Sequence, residues 1–502
     1  MSQTAKRPRN ILFLWTDEQR PDTIGAYGNP RIRTPNLDRL AAGAVLFEWA
    51  YCSMPVCTPS RGTVLTGLYP HSHRAIYNNV PLPEDMPTIA ELLRDYSYIC
   101  GYAGKWHLGR EIHPQRGFDA WWSSMEDGYI KDHQREGFST YHHWLVRQGY
   151  QPPDTAPDGS KVFSRSTAAR LPEAAGKPAF LAQEACRFLD TYGHQPFALY
   201  VNFLEPHMPF FGPWDDLYAP EEMELPETWY GEPDPGMPLR HRLRRAHYAS
   251  AHNRHVRTND ERGWKELKAR YWGLASLVDK YAGRILDHLE ALGLTESTIV
   301  VYSTDHGDMM GEHRLIAKGV QYEGASRVPL IVRVPGVEPR RIKTPVSQVD
   351  LLPTLLDALG LPVPGHAQGR SLLPLMREGD TAPDEAEIVF EWSGAQGGQT
   401  ADGHRLAPDE VGDAERERAV QALRAQQRTI RRGRWKLTVD EAGDHELYDL
   451  VADPQETRNL LYAGSGRTPT AEARAVAQDL WARLRAWQER TGDTCILPDP
   501  VG

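Results

Sequence analysis

The chain is short of cysteine, of positive charge and of long apolar runs. Its five cysteines, Cys52, Cys57, Cys100, Cys186 and Cys495, are scattered over 502 residues. That is too sparse for a disulfide scaffold. Cys52 and Cys57 are too far apart for a Cys-x-x-Cys half-site and no second pair follows, so structural zinc is not expected either. Asp and Glu outnumber Lys and Arg, giving a net charge of −10, which argues against a nucleic-acid-binding surface. An anionic substrate would have to be drawn in by local positive charge, not by the field of the whole molecule. No stretch approaches a membrane span. The apolar run Ile11–Trp15 is too short for the core of a signal peptide and is soon followed by Asp17 and Glu18. We therefore expect a soluble, cytoplasmic protein that binds neither nucleic acid nor membrane. Internal repeats and low-complexity segments are also missing.

What is present is alternation. Apolar runs typical of buried strands lie at Asn10–Thr16, Val45–Tyr51, Tyr98–Ala103, Pro196–Leu204, Thr298–Ser303 and Val328–Val334. Amphipathic helical stretches begin at Thr34 and cover Pro87–Arg94, Leu181–Thr191, Glu266–Leu292 and Val349–Leu359. This predicts an α/β fold, a large mainly parallel sheet flanked by helices, over residues 1–370. Two segments, 113–176 and 209–261, read as irregular excursions; the first holds Trp121, Trp122, Tyr129, His142 and His143. Excursions this long are often functional. Past Gly369 the pattern changes. Ala395–Arg418 reads as polar loop, Thr429–Val439 and Glu446–Leu450 as short antiparallel strands, and Pro469–Glu489 as a packing helix. Residues 371–502 are thus expected to form a smaller C-terminal α+β domain with a short antiparallel sheet.

The stretch that organises the rest is Cys57-Thr58-Pro59-Ser60-Arg61. Thr58 is a good N-cap and Pro59 suits the first helical position. Cys57 is then expected just before a short helix that stops at Gly67, at the end where N–H groups and the dipole favour negative charge. Arg61 adds a positive fork beside it. A sulfur there reads as a reacting centre for an anionic group; the ordinary fate of a lone cysteine, a small buried hydrophobe, is the alternative.

Reactive residues follow three of the apolar strands: Asp17 and Glu18, then His207, then Asp305 and His306. Open α/β sheets place ligands at the carboxyl ends of their strands. The acids and the imidazole offer hard oxygen donors and one nitrogen, which suits calcium, manganese or magnesium. Clustered carboxylates would repel one another without such a cation. Lys105 and Lys318 supply further positive charge for a sulfate or phosphate group. Lys105 and His107, two apart, would face one side of an extended chain. His107 and His207 are the candidate general acid and base.

Taken together these elements resemble the sulfatase family within the alkaline-phosphatase-like fold. Cys57-Thr58-Pro59-Ser60-Arg61 is similar to that family's maturation signature. Thr34-Pro35-Asn36-Leu37-Asp38-Arg39-Leu40, Leu65-Thr66-Gly67, Gly104-Lys105-Trp106-His107-Leu108-Gly109, Ser303-Thr304-Asp305-His306-Gly307, Arg327-Val328-Pro329-Leu330 and Glu446-Leu447-Tyr448-Asp449-Leu450 stand in the family's order. The resemblance implies that a formylglycine-generating maturation enzyme oxidises Cys57 to Cα-formylglycine, hydrated to a diol. It implies one divalent metal, with Ca2+ preferred over Mn2+ or Mg2+, held by Asp17, Glu18, residue 57, Asp305 and His306. One hydroxyl of the diol would attack sulfur, and His207 and Lys318 would help the alcohol depart. A covalent sulfate ester on residue 57 would then collapse as His107 takes the proton of the second hydroxyl. Lys105 and Arg61 would orient the diol and the sulfate.

Two positions depart from the pattern. Glu18 stands where many relatives carry a second Asp, and His306 where many carry Asn. His73-Arg74-Ala75-Ile76-Tyr77-Asn78, followed by Val80-Pro81-Leu82, is similar instead to the phosphonate monoester hydrolase and phosphodiesterase branch. In that branch Asn78 would contact substrate, beside Lys105, His207 and Lys318. The expected activity is hydrolysis of small aryl or alkyl sulfate monoesters, with side activity on phosphate diesters and phosphonate monoesters. The alternatives are a hydrolase of that second branch, and a metal- and anion-binding protein whose Cys57 is never oxidised. By the same resemblance a homodimer or tetramer is expected.

Overall fold

The computed structural model describes residues 9–125, 137–250, 252–253, 256–380, 383–394 and 413–501. Tyr129 and residues 395–412 lie outside these. The centre is a nine-stranded sheet. Its strands are β1 (Asn10–Asp17), β2 (Val45–Tyr51), β3 (Ile99–Gly104), β4 (Ala120–Ser123), β5 (Phe197–Pro206), β6 (Thr298–Thr304), β7 (Arg327–Arg333), β8 (Arg340–Ile342) and β9 (Val346–Ser347). They lie in the order β8-β2-β7-β6-β1-β5-β3-β4, with β9 also paired to β2. β7 runs antiparallel to β6 and β2, and the other pairings are parallel.

All eight residues of β1 are buried, as a strand covered on both faces must be. On one face Leu12 and Leu14 pack with Leu37 of α1 (Pro35–Ala42), Phe180 of α3 (Lys177–Tyr192) and Leu277 of α5 (Glu261–Ala291). On the other, Phe13 and Trp15 meet Val64 and Leu65 of α2 (Cys57–Thr66) and Leu352 of α6 (Leu351–Leu359). The Thr34–Leu40 motif has a structural task. Asp279 of α5 accepts hydrogen bonds from Asn36 N, Leu37 N and Asn36 Nδ2, at 3.3, 2.7 and 2.9 Å. A carboxylate from a neighbouring helix thus caps α1 and locks the two together.

The second excursion is more ordered than its sequence predicts. It contains α4 (Leu239–Ser250), and in the first Thr140–Arg147 is helical. α3 starts at Lys177, earlier than expected. Part of the polar stretch 395–418 is also helix: residues Asp413–Arg424 form α7.

The C-terminal sheet is β10 (Glu387–Trp392), β11 (Gln427–Arg432), β12 (Trp435–Asp440) and β13 (Glu446–Asp449), antiparallel throughout. Thr429–Val439, read as one strand, is a hairpin that turns at Gly433, where φ is +55. α8 (Ala471–Thr491) lays Leu480, Leu484 and Trp487 on Ile430 and Leu437. Buried ion pairs join this layer to the main body. Lys436 Nζ lies 3.0 Å from Glu323 Oε1 and also pairs with Glu456. Tyr51 donates to Glu323 Oε2 at 2.7 Å. Among the described residues no helix is long and apolar enough to cross a membrane.

Candidate active site

Register brings the candidate residues to one edge. Thr16 pairs with Thr304, so Asp17 and Asp305 leave adjacent parallel strands at the same level. Gly104 pairs with Asn202 on the far side. Its φ is +120, and a Cβ there would fall 1.9 Å from the Asn202 carbonyl oxygen. Only glycine lets β3 turn at once into Lys105.

α2 is the hub of this edge. It begins at Cys57 itself, with Val56 as N-cap and no side-chain cap, and Gly67 closes it at φ +68. Thr58 is therefore not the cap. Its hydroxyl instead donates to His107 O at 2.8 Å, and its N–H donates to Asn78 Oδ1 at 3.1 Å. Ser60 Oγ lies 2.5 Å from Asp305 O and 2.7 Å from Gln348 Oε1, two acceptors that share its one proton. Arg61, fully buried, reaches the ends of four strands. It contacts Asp17 Oδ2 at 2.9 Å, Asp305 Oδ2 at 3.0 Å, Lys105 O at 2.6 Å and Asn202 Oδ1 at 2.9 Å. Nη2 also lies 2.9 Å from the same Asp305 oxygen, so Nε, Nη1 and Nη2 are all tied to protein. Its face lies over Trp15, 5.0 Å from the ring centroid.

Cys57 sits inside a buried group of ligating atoms. One atom each of Asp17, Cys57, Asp305 and His306 lies within 4.8 Å of the others. Cys57 Sγ is 3.2 Å from His306 Nε2 and 3.7 Å from Asp17 Oδ1. His306 Nδ1 donates to Gly307 O at 2.8 Å, which leaves Nε2 as the lone-pair nitrogen turned inward. Burial, with Asp17 adding, pushes the Cys57 thiol up to about 11. Burial alone would also raise Asp17. The charges of Lys105, Arg61 and Lys318 outweigh it and hold this carboxyl well below its ordinary range. Two buried carboxylates, one oriented imidazole and residue 57 fit a hard or borderline divalent cation.

The proton-handling groups flank this centre. Lys105 Nζ donates to Asp17 Oδ2 at 2.5 Å. Lys318 Nζ is 3.1 Å from Glu18 Oε2 and 3.1 Å from His207 Nε2. His207 Nδ1 donates to Met208 O at 2.7 Å, so Nε2 is the acceptor. Burial, reinforced by Lys318 for His207 and by Lys105 and Arg61 for His107, lowers both imidazoles well below their usual range.

Residues 9–361 match the family described as Sulfatase. The chain belongs to the sulfatase family. It is 30% identical to an arylsulfatase of Clostridium perfringens over 400 residues, 74% of this chain and 78% of that one. It is 28% identical to the multifunctional alkaline phosphatase superfamily protein PehA of Trinickia caryophylli over 412 residues, 76% and 80% of the two chains. Its fold superposes on the phosphonate monoester hydrolase of Agrobacterium radiobacter with a TM-score of 0.75 at 24% identity, covering 97% and 96% of the chains. The architecture is alkaline-phosphatase-like, and the chain is a sulfatase-family hydrolase.

Within this sulfatase-family site Glu18 differs from its expected place. Its backbone N–H donates to Asp305 Oδ1 at 3.0 Å, but its carboxylate groups with Asp17 and His207 and pairs with Lys318. It lies outside the group of four around Cys57. Lys105 and His107 do converge, though not on extended chain. His107 is left-handed, with φ +60. Two residues that sequence reasoning missed hold it there. Glu111 accepts from Trp106 N at 2.9 Å and His107 N at 2.7 Å. Asn79 Oδ1 faces His107 Nε2 at 2.9 Å. Nothing in the sequence marks either residue for this role. The Lys318 loop is held by α4. Arg244 donates to Lys318 O, and Arg240 to Gly319 O at 2.8 Å.

Proposed function

We propose that this protein hydrolyses sulfate monoesters, with an oxidised residue 57 as nucleophile. The observation that carries the reading is the placement of Cys57 at the first turn of a buried helix, 3.2 Å from His306 Nε2 and between two carboxylates. When present, the hydrate of Cα-formylglycine supplies the attacking oxygen, and a divalent cation held by Asp17, Asp305, His306 and residue 57 draws charge from the sulfate oxygens.

The chain's own residues supply the rest. Asp17, Glu18 and Asp305 balance Arg61, Lys105 and Lys318 in formal charge. A bound divalent cation therefore leaves the site positive, as an anionic ester requires. Lys105 and Lys318 present ammonium groups to the ester oxygens. Lys318 is the proton source for the leaving oxygen: neutral His207, its proton on Nδ1, accepts a hydrogen bond from Lys318 at Nε2 and aims it, and Lys318 regains its proton from water after the alcohol has left. Asn79 puts the His107 proton on Nε2, which makes Nδ1 the basic atom that receives a proton from residue 57. Arg61 is a positioning residue: its hydrogen bonds to Asp17, Asp305, Lys105 O and Asn202 orient the two carboxylates.

A second reading is hydrolysis of phosphonate monoesters or phosphate diesters at the same centre. It is favoured by Asn78, whose side chain accepts from Thr58 N beside residue 57, and by the multifunctional relative PehA. The ratio of kcat/KM for an aryl sulfate to that for a matched phosphonate monoester separates the two. Peptide mass spectrometry tests what they share. Fully active protein carrying only an unmodified thiol at position 57 would refute both.

A further inference from the structure

Asp17 and Glu18 are neighbours in sequence but serve different ends. Asp17 belongs to the group around Cys57; Glu18 does not, and its carboxylate lies with Asp17 and His207. The backbone decides this. Glu18 takes a left-handed φ of +68, which a residue with a Cβ rarely adopts. Its N–H is tied to Asp305 Oδ1 at 3.0 Å, and its carbonyl accepts from the Tyr271 hydroxyl at 2.6 Å. Between those two ties the side chain leaves toward His207.

There Glu18 Oε2, His207 Nε2 and Lys318 Nζ form a nearly equilateral triangle. Lys318 Nζ is 3.1 Å from each of the other two atoms, which are themselves 3.3 Å apart. All three residues are buried. His207 carries its proton on Nδ1, given to Met208 O, so Oε2 and Nε2 turn lone pairs toward each other. A donor shared by both makes that approach favourable, and Lys318 is that donor. An ammonium that gives one N–H to each of two fixed acceptors no longer rotates, so the direction of its third N–H is set. Next to Arg61, Lys105 and a bound divalent cation, the charge of Lys318 also needs a counter-charge, and Glu18 supplies it.

We propose that Glu18 is a positioning residue for release of the leaving group and not a ligand of the metal. It holds Lys318 charged and in one rotation while the S–O bond breaks. The electron pair of that bond goes to the leaving oxygen, which takes a proton from Lys318, and water later restores the ammonium. The inference rests on the sulfate-ester reading above. Its test is Glu18→Asp, which keeps the charge but draws the carboxylate back by one methylene. With phenyl sulfate, whose leaving oxygen needs the proton most, kcat/KM is expected to fall about 100-fold. With para-nitrophenyl sulfate, whose leaving group departs as a stable anion, the fall is expected to be less than about threefold. Ca2+ affinity, measured by equilibrium dialysis, is expected to stay within about twofold of wild type. Glu18→Gln, which keeps the reach and loses the charge, is expected to favour the nitrophenyl ester in the same way. In a Lys318→Met background neither substitution is expected to have a further effect, because both act through Lys318. A merely structural role would slow the two esters by one factor. That result, a loss of Ca2+ affinity in Glu18→Asp, or kinetics that neither variant moves, overturns the inference alone. If wild-type protein with a fully converted residue 57 releases sulfate from neither ester, the sulfate-ester reading fails and the inference falls with it.

Discussion

Two regions of this molecule bury charge, and they do so differently. Where the small sheet meets the main body, Lys436 is held between Glu323 and Glu456. Arg428 is likewise held by Asp493 at 2.7 Å and Glu391 at 3.7 Å. Each cation there faces its acids directly. At the carboxyl edge of the large sheet, lone pairs of Asp17, Asp305, His306 and Cys57 converge on one another instead. Buried charge alone therefore does not mark a functional site, since a well-paired cluster is a structural joint. Convergent lone pairs with cations set around them mark one, because that arrangement is costly until something binds.

The sharpest way to break this contrast is Cys57→Ala. At the convergent edge it is expected to lower kcat/KM on the order of 10⁴-fold or more, with the thermal midpoint little changed, as steady-state kinetics and calorimetry would show. The mirror experiment is Lys436→Met. Leaving Glu323 and Glu456 without their cation should cost about 3–5 kcal/mol in denaturant unfolding, while kcat/KM of the folded fraction stays close to wild type. A large loss of turnover in that variant would mean the two regions are not separable.

Glu111 tests the edge through pH. Burial holds its carboxyl up at about 7, against an ordinary value of 4.5. The folded chain keeps a proton that the unfolded chain releases. The contribution to stability is complete below about 4.5 and is lost as pH rises through 7, on the order of 3 kcal/mol in all. Glu111→Gln should therefore flatten the dependence of Tm on pH across that window. Smallest is Asn79→Ala. Freed from its partner, His107 can adopt the other tautomer, and kcat should fall about 10–100-fold with KM less affected. Loss of stability without loss of kcat would move Asn79 from the catalytic edge to the structural class.

The parts of this edge that lie in or just after strands were legible in the sequence. β1 reads as a buried strand because every residue in it is covered, and Asp17 and Asp305 stand where apolar runs end. The start of α2 was not legible. Thr58 has the chemistry of a cap, but the His107 carbonyl, distant in sequence, claims its hydroxyl. α4 was missed for a related reason. Its sequence, Leu-Arg-His-Arg-Leu-Arg-Arg, has the charge of a solvated face, yet Arg240 and Arg244 are buried because they hold the Lys318 loop. Asn79 and Glu111 carry no local signal at all. Their roles exist only once β3, α2 and the loop at residue 79 have been brought together.

The enclosure of α2 fixes an order of events in biosynthesis. Every residue of that helix is buried, and Cys57 is 1% exposed. A second protein that had to grip this peptide and oxidise its sulfur would find nothing to hold once the strand ends had closed around Arg61. Any such conversion must therefore be finished on the unfolded or newly made chain. If residue 57 is converted, molecules that fold too early would stay thiols, and the converted fraction would record a race between folding and modification.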